Sequence, residues 1–177
     1  MAHVQQAQFI ERVKGLFPRA FKGVDVLEIG SLDINGSVRR FFQANRYVGV
    51  DVGEGPCVDV VMSGHEYKDD KLFDTCISCE CFEHNPFWLE TFENMVNHCK
   101  PGGLVVFTCA TTGRPEHGTE RSLPQDSPLT IAKGWNYYRN LVPQDFIDGT
   151  DISSMFSQWM FDDDPQACDL YFYGVKA

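Results

Sequence analysis

The chain has 177 residues, 43% of them hydrophobic, which is enough for the core of one domain spanning 1–177. Its 25 acidic residues outnumber its 15 basic ones, for a formal net charge of −10. That charge repels nucleic acids and anionic membrane surfaces, so neither is an expected partner. The sequence shows no signal-peptide pattern and no apolar run that could span a bilayer, so we expect no membrane insertion. Seven cysteines, an odd number, favour free thiols in a reducing cytoplasm.

Hydrophobic periodicity in the first half of the chain predicts strands that alternate with helices. One helix is predicted over 5–18, and a second carries Val38, Phe41 and Phe42 on one face. Short apolar runs rich in β-branched residues predict strands over 24–29, 47–51, 58–61 and 73–78. Parallel strands joined by helical crossovers are the arrangement that this alternation favours.

The second half continues the alternation and then changes character. Asn85 and Pro86 are typical of the N-cap and first residue of a helix, which Pro101 and the glycines after it end. A buried strand follows over 104–108. The runs at 155–161 and 170–175 predict an antiparallel hairpin. The fold class expected is therefore α/β, a mostly parallel sheet between two helical layers with an antiparallel C-terminal hairpin.

The most informative motif is the turn after the first predicted strand, over residues 24–37. A strand, a glycine turn at Gly30 and a helix start form the layout of a nucleotide-binding turn. The G-x-G-x-x-G spacing is absent, and Glu28 and Asp33 flank the turn. Carboxylates there repel a pyrophosphate, which makes a nicotinamide-dependent reductase a poor interpretation. They suit a cofactor with cationic groups, such as the ammonium and sulfonium of S-adenosylmethionine.

Four segments in this order carry a resemblance to a known family. They are Leu27 to Ser37, Tyr47 to Asp51, Phe73 to His84, and Pro101 to Gly103. Together they resemble class I S-adenosylmethionine-dependent methyltransferases, close to the small type 11 group. The resemblance implies a Rossmann-like, doubly wound fold, S-adenosylmethionine as cofactor and methyl transfer as activity.

The resemblance also implies roles for individual residues in the cofactor site. Gly30 would let the backbone approach the methionine part, and Glu28 and Asp33 would hold its ammonium group. Asp51 would accept both ribose hydroxyls, because a carboxylate can accept two donors, and Val52 would pack on the adenine. The remaining cofactor-binding residues expected are Ser31, Asn35, Ser63, Gly64 and Cys79.

One departure from the family concerns the adenine. Relatives carry an acid after the third strand, whereas this chain has Ser63, and a hydroxyl is a weaker hydrogen-bond partner than a carboxylate. The departure leaves open a second hypothesis, a protein that binds S-adenosylmethionine or S-adenosylhomocysteine without transferase activity, as a sensor or regulatory subunit.

A possible metal motif follows the fourth predicted strand. Cys76, Cys79, Cys81 and His84 have spacings that resemble those of zinc ligands. Successive strand residues point to opposite faces, so the cysteines should diverge, and the family has no metal here. We therefore expect no metal site, and we expect the Glu83-His84 pair to shape the site beside the cofactor.

Residues 110–141, the lid segment, form the longest stretch without periodicity. It follows the last predicted parallel strand, so it lies at the carboxyl edge where ligands bind in open α/β sheets. Within it, Arg114, Tyr138 and Arg139 are candidate substrate-binding residues for a small-molecule or sugar-containing acceptor of the glycan or glycolipid type. His117 is the candidate general base, because imidazole is partly neutral near pH 7. The alternative is that the tyrosines pack the lid and the charged side chains are solvated surface.

Overall fold

The structure is a computed structural model that describes residues 4–177. Its centre is a seven-stranded sheet in the order β3-β2-β1-β4-β5-β7-β6. The strands are β1 Lys22–Ile29, β2 Gln43–Asp51, β3 Val60–Val61, β4 Phe73–Cys79, β5 Cys99–Ala110, β6 Phe156–Asp164 and β7 Asp169–Lys176.

Strands β1 to β5 are parallel, and the last hairpin is antiparallel. Leu27 of β1 pairs with Cys76 of β4, and Cys76 pairs with Val105 of β5. Val105 then lies opposite Gly174 of β7 in an antiparallel pair, with β6 outside β7. This arrangement confirms the expected α/β class with its antiparallel C-terminal hairpin.

Helices and 3₁₀ turns cover both faces of the sheet. The α-helices are α1 Val4–Leu16, α2 Trp88–His98, α3 Pro128–Ala132, α4 Pro143–Gly149 and α5 Ile152–Met155. On one face, α1 buries Phe9, Ile10 and Val13 against the sheet. On the other face, Phe92 of α2 and Phe146 of α4 pack on apolar side chains of β4, β5 and β7. Two separate cores follow, one for each face.

Two predicted helices differ from the structure. The helix expected around Val38 is a 3₁₀ turn, Val38–Phe41, because β2 begins at Gln43 and leaves too few residues for a stable helix. Helix α2 begins at Trp88 rather than Pro86, because Oδ1 of Asn85 accepts a hydrogen bond from the Phe87 N–H at 2.8 Å and forms a turn before the helix.

Strand boundaries differ as well. Strand β5 begins at Cys99, which pairs with Phe73 of β4, so it is longer than the predicted 104–108. Strand β3 shrinks to Val60–Val61. Within residues 4–177, no helix combines the length and apolarity needed to cross a membrane.

Candidate active site

The turn after β1 depends on Gly30. Its φ of +77° lies in the left-handed region that favours glycine. A Cβ at this position would come within 2.5 Å of the Cβ of Cys81, so the residue is also restricted by the loop after β4. The Gly30 N–H donates to the Val50 carbonyl of β2 at 2.9 Å. The turn thus joins the carboxyl ends of three strands.

Asp51 ends β2 beside this turn. Its Oδ2 accepts a hydrogen bond from the Leu32 N–H at 3.0 Å, and its Oδ1 accepts one from the Val52 N–H at 2.8 Å. Burial raises the pKa of the carboxyl, while these two backbone donors oppose the shift. Each oxygen keeps a further lone pair, which is what two ribose hydroxyls require.

Glu28 is a buried carboxyl near the end of β1, with 4% of its surface exposed. Burial raises its pKa to about 8, although its Oε2 accepts a hydrogen bond from the Tyr47 hydroxyl at 2.8 Å. The Arg39 guanidinium lies over the Tyr47 ring, 4.4 Å from its centre. An ammonium group beside Glu28 would stabilise its ionised form.

Two adjoining cavities at the carboxyl edge of the sheet form the cofactor cleft, and Gly30, Asp51 and Cys81 line both. The first also has Glu28, Ser31, Asn35 and Cys79 in its wall. The second is lined by Val52, Gly64 and other residues beyond β2. The structure thus brings together eight of the ten predicted cofactor-binding residues: Glu28, Gly30, Ser31, Asn35, Asp51, Val52, Gly64 and Cys79.

Asp33 and Ser63 do not line the cleft. Oδ1 of Asp33 accepts a hydrogen bond from the Gly36 N–H at 2.7 Å, which closes a local turn. Ser63 is 3% exposed, and its carbonyl accepts a hydrogen bond from the Glu66 N–H. Both side chains therefore serve the local backbone or core in this structure, rather than the wall of the cleft.

The lid segment closes part of the cleft. Residues 126–130 line the first cavity, and Leu129 packs over Gly53, where a Cβ would come within 2.8 Å of the Leu129 Cδ2. Gln6 of α1 and Glu80 after β4 also line this cavity. No local motif marks Gln6, Glu80 or residues 126–130, so none of them was predicted from the sequence. For Glu80 alone there was a signal, its position two residues after the predicted strand 73–78.

Glu83, His84 and His117 form a group of side chains next to the cleft, which we call the Glu–His–His cluster. One side-chain ligand atom from each residue lies within 4.8 Å of the other two. All three residues are buried, and His84 also lines the cofactor cleft. The ring of Tyr138 contacts both histidines, with centroid distances of 5.6 Å to His84 and 5.0 Å to His117. The predicted general base and one predicted substrate residue therefore meet here.

Burial keeps this cluster uncharged in the absence of a ligand. It raises the pKa of Glu83 to about 8, with the nearby Glu80 adding to the rise. It lowers the pKa of His84 to about 3, and it also lowers the pKa of His117. The Nδ1 of His117 lies 3.0 Å from the Pro115 carbonyl. A carbonyl only accepts, so Nδ1 carries the proton and Nε2 of the neutral ring has a lone pair.

The two predicted arginines are engaged elsewhere. Arg114 donates to the Ala167 carbonyl at 2.6 Å and forms an ion pair with the fully buried Asp169 at 3.3 Å. Arg139 forms an ion pair with Asp145 of α4, although its side chain is 49% exposed. Neither lines the cofactor cleft. Their substrate-binding role stays a prediction, and the structure gives both a role in holding the lid segment.

The cysteines of the apparent zinc motif do not converge. Among residues 4–177, Glu83, His84 and His117 are the one set of three potential ligands within reach of a common ion. Cys76 lies in the core, where burial raises its pKa and its thiol contacts Cys99. Cys79 lines the cofactor cleft instead, and burial raises its pKa to about 12.

The strand order and the cleft at the carboxyl edge define a Rossmann-like nucleotide-binding protein. A family model described as a methyltransferase domain matches residues 1–163, so the chain belongs to that family. It is an S-adenosylmethionine-dependent methyltransferase, as the sequence resemblance implied. No curated protein sequence matched the chain.

Solved methyltransferase structures share this fold at low sequence identity. The N-methyltransferase NodS of Bradyrhizobium japonicum, solved with S-adenosylhomocysteine, has a TM-score of 0.61 and 13% identity, with 97% of this chain and 85% of that chain covered. The 1,6-didemethyltoxoflavin-N1-methyltransferase of Burkholderia thailandensis gives 0.60 and 13%, with 100% and 92% covered. Phosphoethanolamine N-methyltransferase 2 of Haemonchus contortus gives 0.64 and 15%, but the match covers only 52% of that chain.

Proposed function

We propose that this methyltransferase modifies a hydroxyl group of a small-molecule or sugar-containing acceptor that reacts beside the Glu–His–His cluster. The observation that supports the proposal most directly is the position of His84, which belongs to this cluster and also lines the cofactor cleft. S-adenosylmethionine supplies a methyl carbon that the acceptor oxygen attacks, while the carbon–sulfur bond breaks and its electron pair stays on sulfur.

The donor half of the site is assigned to the strand ends. Asp51 would accept the ribose hydroxyls, because both of its oxygens are fixed by backbone donors and the residue lines the cleft. Glu28 would hold the ammonium group from the buried side of the same cavity. Leu129 would cover the bound cofactor from the lid segment.

The acceptor half is assigned to the cluster and to Tyr138. Methyl transfer to a hydroxyl needs removal of a proton, and the neutral His117 offers a buried Nε2 lone pair with no hydrogen-bond partner. The Tyr138 hydroxyl is likewise buried and has no partner. These groups are suited to receive a hydroxyl-bearing acceptor, because each gains a hydrogen bond when the acceptor is present.

The test separates the two halves. In Asp51→Ala, loss of the ribose contacts should weaken S-adenosylhomocysteine binding by roughly 2–4 kcal/mol, or about 30- to 1,000-fold in Kd. In His117→Ala, cofactor affinity should stay near the parent value, while turnover falls at least about tenfold because a group that handles the proton is lost. Calorimetric titration measures the first effect, and S-adenosylhomocysteine release over a panel of hydroxylated acceptors measures the second.

His98→Ala is the matched control, because His98 lies in α2 outside both cavities. Unchanged S-adenosylhomocysteine affinity in a folded Asp51→Ala protein would overturn the donor assignment. Normal turnover in His117→Ala would place the acceptor elsewhere. Cofactor binding by the parent without turnover on any acceptor would favour a binding protein without transferase activity.

A further inference from the structure

We propose that Glu83, His84 and His117 form a binding site for one divalent transition-metal ion, such as Zn²⁺. Two imidazoles and one carboxylate are a donor set that zinc uses in catalytic sites, where a fourth position stays open. This proposal replaces the expectation of a metal-free protein, which was drawn from the cysteine spacing and concerned a different set of residues.

The distances between the ligand atoms of Glu83, His84 and His117 would suit a bound cation if the three atoms moved slightly closer together. Three atoms that are at most 4.8 Å apart share a point within about 2.8 Å of each. Zinc bonds to nitrogen and oxygen of about 2.0–2.2 Å would require each ligand atom to move inward by less than about 0.8 Å. Changes of χ angle in side chains of this length can supply such a movement.

The second observation in favour of a metal ion is that polar side-chain atoms of the cluster are buried and form no hydrogen bond. Both carboxylate oxygens of Glu83, both ring nitrogens of His84 and Nε2 of His117 are buried and have no hydrogen-bond partner. Glu83 is 0% exposed, His84 3% and His117 6%. Buried polar atoms are nearly always paired, so five unpaired ones in three neighbouring residues need an explanation. A cation would satisfy a donor atom of each residue at once.

The protonation state of His117 is already the one that a metal ligand requires. Its Nδ1–H donates to the Pro115 carbonyl at 3.0 Å, which leaves the Nε2 lone pair available. Histidine ligands usually donate their other ring N–H to a carbonyl or carboxylate, which fixes the orientation of the ring. The hydrogen bond of His117 to Pro115 is of this kind.

The backbone holds the two halves of the cluster together. The Arg139 N–H donates to the Glu83 carbonyl at 2.9 Å, which ties the lid segment to the loop after β4. Gly118 lies against His84: its φ is +63°, and a Cβ there would come within 2.6 Å of the His84 Cε1. Ligands from two distant segments are thus held side by side by contacts outside the cluster.

The surrounding charges favour a cation. Glu80 and Asp169 both act electrostatically on Glu83. Among residues 4–177, Arg114 is a cation that acts on His84, and it is paired with Asp169. A divalent ion would be attracted by the carboxylates of Glu80 and Asp169.

The position beside the cleft gives the ion a role in methyl transfer, and this part rests on the proposed function. His84 belongs to the cluster and also lines the cofactor cleft, so a hydroxyl at the open position of the ion would face the cleft in which the methyl donor would bind. A bound cation lowers the pKa of such a hydroxyl. The ion would then take the place of His117 in activating the acceptor, with the proton released to solvent.

Metal binding is tested without reference to activity. The protein is treated with a chelator, freed of it and titrated with Co²⁺, whose visible absorption reports its ligands. We expect one Co²⁺ per chain with nitrogen and oxygen ligands and no thiolate charge-transfer band. Glu83→Gln and His117→Ala should each weaken Co²⁺ binding roughly 100-fold or more, which exceeds the roughly 10- to 100-fold cost of losing a partner that only orients a ligand.

A control variant tests whether loss of Co²⁺ binding is specific to the Glu–His–His cluster. His98→Ala should bind Co²⁺ like the parent protein. A cooperative urea-unfolding transition shows that each variant is folded, and S-adenosylhomocysteine titration of the parent protein tests the cofactor assignment separately from the metal site. Less than about one-tenth of an equivalent of Co²⁺ at saturation, a thiolate band, or parent-like binding in both cluster variants would overturn the proposal.

Discussion

The protonation of the buried Glu28 carboxyl affects folding stability, and the same carboxyl is the group proposed to bind the ammonium of the cofactor. It is a buried acid whose pKa is raised mainly by burial, to about 8, against the opposing hydrogen bond from Tyr47. The other titratable groups that act on it are Arg39, Asp51, Asp33 and Cys79. At neutral pH the folded protein therefore retains a proton here that the unfolded chain has released.

Stability should consequently fall as pH rises from about 5 to about 8. The folded pKa lies above the unfolded value, so the folded state binds more protons in this window and the free energy of unfolding decreases with pH. One such group contributes at most about 1.4 kcal/mol per pH unit. Glu28→Gln should show a shallower decrease than the parent protein in urea unfolding at pH 5.5, 6.5 and 7.5, with a chelator present.

The other carboxyls whose pKa is raised by burial, Asp51 and Glu83, are retained in both proteins, so the difference in slope reports Glu28. Identical slopes in the two proteins would mean that Glu28 is ionised in the folded state.

Individual site residues were predictable where a local motif fixes them. Gly30 and Asp51 follow directly from strand ends, and both line the cleft. Asp33 has the right sequence spacing, but its carboxylate caps the turn through the Gly36 N–H. The meeting of His84 with His117 depends on how the lid segment folds back, and 33 positions of chain separate the two residues. No local pattern encodes that distance.

Among the elements, the short helix α3 is the part of the lid segment that forms a wall of the cofactor cleft. It follows a 3₁₀ turn at Pro124–Asp126 and places Leu129 and Thr130 in the wall of the first cavity. The sequence indicated this region by its lack of periodicity, but the helix of five residues was too short to predict. Its position over Gly53 comes from tertiary contacts.

Leu129→Ala should loosen this cover. Removal of its partly buried side chain should cost about 1 kcal/mol of cofactor binding, which is roughly fivefold in Kd. We expect the change mainly as faster release of S-adenosylhomocysteine, measured by stopped-flow displacement, with little change in the Tm of the free protein. Leu123→Ala is the matched control, because Leu123 lies in the same segment, is 53% exposed and does not line the cleft. Equal release rates in the two variants would show that α3 does not cover the cofactor.

At the scale of the whole molecule, aromatic packing links α4, which directly follows the lid segment in the chain, to the sheet. Phe146 of α4 stacks on Phe107 of β5 with ring centroids 4.6 Å apart, and it contacts the Trp88 ring at 4.9 Å. It is fully buried. The alternation of strands and helices made the sheet predictable, but no helix was predicted over 143–149, where α4 lies. The position of α4 depends on these contacts between residues that are far apart in the sequence.

Phe146→Ala should therefore destabilise the protein by about 3–5 kcal/mol, because a large buried side chain is lost and a cavity is left. Phe146→Leu keeps much of the apolar volume and should lose less. Ile147→Ala, at a neighbouring position that is 42% exposed, should change the unfolding free energy by only about 0.5 kcal/mol. Equilibrium unfolding in urea measures all three, and similar losses at the two positions would contradict the packing of α4 on β5.

The strand order also has a consequence for synthesis on the ribosome. Strand β7 follows all the other described strands in the chain, yet it lies between β5 and β6. Until residues 169–176 leave the exit tunnel, the apolar strand β5 has an unpaired edge along Leu104 to Ala110. Unpaired apolar edges promote association between nascent chains. The sheet can therefore close only after β7 has been synthesised, and until then the emerging chain depends on chaperones to keep that edge from pairing with another molecule.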